Sequence, residues 1–156
     1  MFSRILTLLC TLSVLVACGH AMDAINTSAP HNTTPVATLQ NISMSDAWVR
    51  SSPKGDNSAA YVVITNHGAA DMLISAKSDV SPLIELHTVT MNNGMMSMHP
   101  AEGGVPIPAN GTQVLKMGGF HIMIMGLTND LAKGQTVQFT LTFQNVGTVV
   151  VPFEVR

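Results

Sequence analysis

From residue 41 to the C-terminus, turn residues interrupt the chain about every 8–12 positions, which leaves no room for a long helix. The clearest of these signals are Ser52-Pro53-Lys54-Gly55, Asn66-His67-Gly68, Asn93-Gly94, Asn110-Gly111 and Gly118-Gly119. Between them Val, Ile and Thr recur without a 3.6-residue period. The segments therefore read as strands at 42–50, 60–66, 72–77, 83–91, 95–99, 112–117, 121–126, 135–145 and 147–155. Residues 100–111 read as a Pro/Gly-rich loop, and Pro152, lacking an N–H, is expected on an edge strand. The pattern predicts one all-β domain over 41–156, a sandwich or barrel large enough to bury a core without staples.

The first 40 residues are of another kind. Arg4 precedes an uncharged apolar run, Ile5 to Ala17, which is shorter than the about 20 residues a spanning helix needs. Residues 1–17 therefore read as a secretory signal peptide. Leu15-Val16-Ala17-Cys18 resembles the lipobox of bacterial lipoproteins, which implies cleavage before Cys18 and acylation of its thiol. Gly19 in place of Asp resembles an outer-membrane sorting signal. The competing reading is a general signal peptide with an incidental Cys. Residues 18–40, rich in Ala, Thr, Asn and Pro, read as a lipid-attached flexible linker in which His20 and His31 are isolated polar residues.

This organisation limits the chemistry. The chain has two Cys, Cys10 and Cys18; the first leaves with the signal peptide and the second is acylated. The exported domain then has no thiol, although its compartment would permit a disulfide. Any metal site in it must use His, Met or carboxylate. Charged residues are only 10% of the chain and the net charge is −2, so nothing suggests nucleic acid or another polyanion as partner. Eleven Met are the compositional oddity, and thioether serves either as flexible core filler or as a ligand for soft metals.

Strand parity separates the two uses. Along His121-Ile122-Met123-Ile124-Met125 alternate side chains share a face, so His121, Met123 and Met125 point away from the core-forming Ile pair. In Leu83–His99, Asn93-Gly94 is a two-residue hairpin signal that would pair Asn92 with Met95, Met91 with Met96 and Val89 with Met98. His87, Val89, Met91, Met96 and Met98 then share one face, with Met98 the diagonal neighbour of His87. Two imidazoles and two thioethers, His87, Met98, His121 and Met123, make a soft, neutral donor set suited to Cu(I). Zinc sites prefer Cys, His or carboxylate, and a blue-copper centre needs a Cys the domain lacks. Taken singly, Met91, Met95, Met96 and Met125 read as core fillers, with Met91, Met96 and Met125 as auxiliary ligands in the alternative. His67 and His99 read as ordinary surface residues.

These residues resemble the periplasmic copper chaperones of the PCu(A)C family. Its pattern is His, ten residues, Met, about twenty-one residues, then His-x-Met. Here ten residues separate His87 from Met98, and twenty-two separate Met98 from His121-Ile122-Met123. Asp46-Ala47-Trp48-Val49-Arg50, Ala60-Tyr61-Val62-Val63-Ile64-Thr65-Asn66, Glu85-Leu86-His87 and Gly119 to Leu127 are also similar, so the resemblance covers about 42–155. It implies a cupredoxin-like Greek-key β-barrel or sandwich holding one Cu(I) through His87, Met98, His121 and Met123. It also implies delivery toward the binuclear copper centre of cytochrome c oxidase, in subunit II, beside a thiol-containing partner chaperone.

The expected function is thus an extracytoplasmic Cu(I) chaperone, lipid-anchored and not an enzyme. An alternative is a copper-buffering or resistance lipoprotein without a dedicated acceptor. A copper enzyme would need acid–base groups at the site, and only Glu85 lies near in sequence, on the face of His87.

Overall fold

The computed structural model describes residues 34–156 apart from Asn93. The expected signal peptide, Cys18, His20 and His31 lie outside the described residues. All regular elements among those described are strands: β1 (Pro35–Leu39), β2 (Ile42–Val49), β3 (Ser58–Asn66), β4 (Asp71–Lys77), β5 (Leu83–Asn92), β6 (Met95–Pro100), β7 (Val105–Ile107), β8 (Gly111–Leu115), β9 (His121–Met125), β10 (Thr136–Phe143) and β11 (Gly147–Val155).

They form one open sheet in the order β6-β5-β9-β3-β2-β11-β10-β4-β7, with β1 added to β2 and β8 to β3. Pairing is antiparallel except between β11 and β2. The sheet bends over so that β4 approaches β5 and β7 approaches β8. The enclosed layer is apolar: Phe139, Phe143, Phe153, Ile42, Met44, Ile64 and Leu73 are among its fully buried side chains. Phe139 and Phe153 lie 4.7 Å apart between ring centroids, a separation suited to aromatic pairing.

Alternation decides what remains outside. On β9, Ile122 and Ile124 are fully buried, and Leu86 on β5 joins them. Strand geometry then directs His121 and Met123, and Glu85 and His87 opposite them, to the other face. On its far edge β3 is shared: residues 62–66 pair with β8 and residues 58–60 with β9. The ladder opens at Tyr61, and the turn from Lys116 to Phe120 sits at that opening. Two backbone bonds hold the turn, Lys116 N–H to Phe120 O and Gly119 N–H to Lys116 O, at 2.7 and 3.1 Å. Gly118 takes a φ of 73° there, which a side chain would resist.

Several sequence expectations change. Residues 35–39, expected in the linker, pair with β2, and their Ala37 and Leu39 pack on the core. The expected loop 100–111 contains β7, where Val105 and Ile107 are buried and Pro106 is exposed. β7 pairs only with β4 among the named strands, and a Pro is tolerated on such an edge. Pro152 is not on an edge strand, because β11 lies between β10 and β2. β2 joins β11 only at Glu154 and Val155, so the ladder on that side begins beyond the proline. Finally, β8 stops at Leu115, and Met117 belongs to the turn rather than to a strand.

Asp71 shows how the far end of the sheet is closed. Its buried carboxylate accepts backbone N–H bonds from Met72, Asn145 and Val146 at 2.7, 2.9 and 3.1 Å, fixing the β10–β11 turn. Removing a charged acceptor leaves those donors unpaired. Asp71→Ala is expected to lower unfolding stability by about 2–3 kcal/mol in urea titration; a loss within about 0.5 kcal/mol, the usual range of neutral surface changes, would mean the turn does not depend on this carboxylate.

Candidate metal centre

The β5–β6 hairpin has the register expected from Asn93-Gly94. Asn92 faces Met95, Met91 faces Met96 and Val89 faces Met98. Gly94 has a φ of 79°, as a type I′ turn requires. On the other side of β5, His87 stands directly opposite His121 and Glu85 opposite Met123. Glu85, His87, Val89, Met98, His121 and Met123 therefore share one face across three strands.

His121 is 5% exposed, and both its nitrogens are engaged. Nδ1 lies 2.9 Å from the Gly119 carbonyl oxygen. A carbonyl only accepts, so Nδ1 carries the proton and donates. In the neutral ring Nε2 is then a bare lone pair. It points at the Met98 sulfur, 3.1 Å away, although Met98 belongs to β6 and β5 lies between. A thioether sulfur is also an acceptor. Two lone pairs facing each other at this distance repel unless a proton or a cation lies between them.

His87 complements it. Its Nε2 lies 2.9 Å from Glu85 Oε2, and its ring is buried, 5.9 Å from that of His121 in an edge-on arrangement. With Nε2–H given to the carboxylate, Nδ1 holds the lone pair, and this atom is buried with no hydrogen-bond partner. Buried polar atoms without partners are rare and call for an explanation. A carboxylate that fixes a histidine tautomer while the second nitrogen stays bare is the usual outer support of a metal-bound imidazole.

Met98, His121 and Met123 line a cavity of about 310 Å³ together with Tyr61, Met117 and Gly118. His87 is beside this cavity rather than in its wall. Burial raises the Tyr61 phenol above its ordinary 10.0, opposed by the nearby Arg50, so Tyr61 contributes a neutral wall. Among the described residues no three His, Cys, Asp or Glu side chains converge on a common point. A site of three or more protein donors on this face therefore draws on its thioethers.

The four residues singled out as ligands are thus brought to one face, with His121 and Met98 in direct contact. The remaining methionines fall differently. Met91, Met95 and Met96 are 69%, 73% and 64% exposed and fill no core: every residue of the edge strand β6 is exposed, and Met91, near the end of β5, faces Met96 of that strand. Met125 is half-buried opposite Leu83, beyond Met123 on the side away from His121. His99 and His67 are exposed, as expected; His99 pairs with Thr88 and so stands on the face opposite Met98. The sequence reading missed Met117, which lines the cavity from the turn. A large apolar residue directly before Gly118-Gly119, where turns favour polar residues, was the available signal.

Residues 42–155 match the model of a family described as "Putative lipoprotein LpqE-like". The chain is 34% identical over 124 residues to "Putative lipoprotein Lxx21020" of Leifsonia xyli subsp. xyli (strain CTCB07), covering 79% of this chain and 74% of that one. Among solved structures, the copper-bound PCuAC domain from PmoF2 superposes with a TM-score of 0.64 at 19% identity, over 77% of this chain and 96% of that one. The apo PCuAC domain from PmoF1 gives 0.65 at 21%, over 77% and 97%. These two share the fold, which is cupredoxin-like. The solution structure of CuI-DR1885 from Deinococcus radiodurans gives 0.56 at 28% identity, over 87% and 85%.

The hydrogen bonds assign opposite tautomers to the neutral rings, Nε2–H in His87 and Nδ1–H in His121. Long-range proton–nitrogen correlation spectra of the metal-free protein are expected to show both. Finding one tautomer in both rings would remove the argument for two bare nitrogens on this face.

Proposed function

The chain belongs to the LpqE-like lipoprotein family, and from that premise we propose that it carries Cu(I) outside the cytoplasm and hands it to an acceptor protein. The observation that carries this reading is the 3.1 Å approach of His121 Nε2 to Met98 Sδ, which the Nδ1–H tautomer makes a meeting of two lone pairs. A soft cation between them turns a repulsive contact into two bonds. His87 through its partnerless Nδ1, and Met123 from the cavity wall, complete a donor set of two imidazoles and two thioethers. That set is neutral and soft, which favours Cu(I) over harder divalent ions. The copper-bound and Cu(I) forms named for two of the structural relatives support the same choice.

The site suits transfer better than catalysis. Glu85, the carboxylate a copper enzyme could have used for proton transfer, is engaged by His87. Met98 is 51% exposed, so an incoming donor can replace it without opening the core. No thiolate adds charge to hold the ion. The acceptor we propose is the binuclear copper centre in subunit II of cytochrome c oxidase, with a thiol-containing chaperone as partner. This rests on the resemblance to the PCu(A)C family. Attachment through lipid on Cys18, on the periplasmic side and at the outer membrane in view of Gly19, completes the reading. It is supported by the lipobox-like Leu15–Cys18 and by the family's lipoprotein character.

Anaerobic titration with Cu(I) against a colorimetric competing chelator tests the site. One tightly held ion per chain is expected. Losing a ligand should cost at least what losing a ligand's outer support does, so Met98→Leu and Met123→Leu should each weaken binding by about 10–100-fold or more. Unchanged affinity in both variants, with the fold intact by circular dichroism, would sink the ligand assignment.

A further inference from the structure

The methionines left over are not scattered. Met91, Met95, Met96, Met98 and Met117 are half of the large hydrophobic side chains that stand exposed among the described residues. All five belong to the β5–β6 hairpin or the turn beside the cavity. Val114, 37% exposed, is the nearest of the others in sequence. Ordinary solvent exposure selects polar residues at a hairpin tip. Concentration of one residue type points to what only that type offers, a thioether sulfur.

Register and contact separate these residues further. Met91 and Met96 are directly opposite each other across the hairpin and share the face of Met98. Met95 alternates to the other face with Ser97 and His99. The Met96 methyl reaches the turn: it lies 3.8 Å from where a side chain on Gly118 would begin. Met117, 72% exposed, immediately precedes that glycine and lines the cavity. Met98 lies one strand repeat inward from Met96, about 7 Å along β6, and its sulfur already touches His121. The thioethers thus form a row from the hairpin tip to the imidazoles.

We propose that Met91, Met96 and Met117 form a second, outer site for a soft monovalent cation, separate from the His87–Met98–His121–Met123 site. The outer site holds Cu(I), or Ag(I) as its redox-inert counterpart, by thioether donors alone. With no imidazole and no charge it binds more weakly than the inner site. It passes the ion inward by exchange of one sulfur ligand for another through Met98, without change of oxidation state. The inward step rests on the inner site being the copper site; the outer site does not.

Methyl spectra of the protein labelled with carbon-13 at the methionine methyls, recorded during Ag(I) titration, read each thioether separately. The first equivalent is expected to shift Met98 and Met123, and the second to shift Met91, Met96 and Met117. The double variant Met91→Leu/Met96→Leu, which leaves the cavity wall unchanged, should lose the second equivalent and keep the first. These side chains are exposed, so the fold should tolerate leucine. Saturation of the wild type at one equivalent, moving only Met98 and Met123, would overturn the outer site and leave the inner one standing. Shifts of Met91, Met96 and Met117 without those of Met98 and Met123 would keep the outer site and overturn the inward step. A second equivalent retained by the double variant would place it elsewhere and overturn the proposal, and no shift of any methionine would overturn both sites.

Discussion

The register between β5 and β9 is the constraint on which the site depends. His87 faces His121 and Glu85 faces Met123 because Leu86 faces Ile122 and Ile84 faces Ile124. A slip of one residue would turn one strand's imidazole toward the core and expose its apolar set to water. The apolar side chains thus hold the geometry of the four proposed ligands from the core side. Ser81 secures the same pairing at one end: its buried hydroxyl donates to the Met125 carbonyl and accepts from Leu83 N–H. β3 secures it from the side, pairing Ala59 and Ala60 with Met123 and Ile122. Preorganisation here comes from strands rather than loops, which gives the two histidines little freedom to adjust.

That dependence explains what could be read in advance. Hairpin register follows from a local signal, Asn93-Gly94, and strand faces follow from parity, so the shared face of His87, Met98, His121 and Met123 was legible in the sequence. The contact between Met98 and His121 was not. Sequence placed Met98 diagonal to His87, whereas the side chain crosses β5 to reach β9. Strand order is a long-range property, and no local pattern states that β9 lies beside β5. The same holds for the split of β3 between β8 and β9, which creates the opening where Met117 enters. β1 and β7 escaped notice because proline and threonine-rich or glycine-rich surroundings hid short alternating segments. The exposure of Met91 and Met96 escaped because apolar residues are normally assigned to a core, and a projecting edge hairpin has none to offer.

Burial within the site is graded, and the gradient bears on the proposed transfer. His87 and His121 are 8% and 5% exposed, Met123 is half-buried and Met98 is 51% exposed. Of the proposed donors, the best held are therefore the deepest, oriented by Glu85 and the Gly119 carbonyl. The weakest donors are the most accessible. An acceptor approaching from the hairpin side meets Met98 first, and displacing a neutral thioether costs less than displacing a buried, hydrogen-bonded imidazole. In the proposed transfer each exchange would leave the ion bound to at least the two histidines until new donors are in place. On this reading the ion is never released to water, and the order of ligand loss is set by depth: thioethers first, imidazoles last.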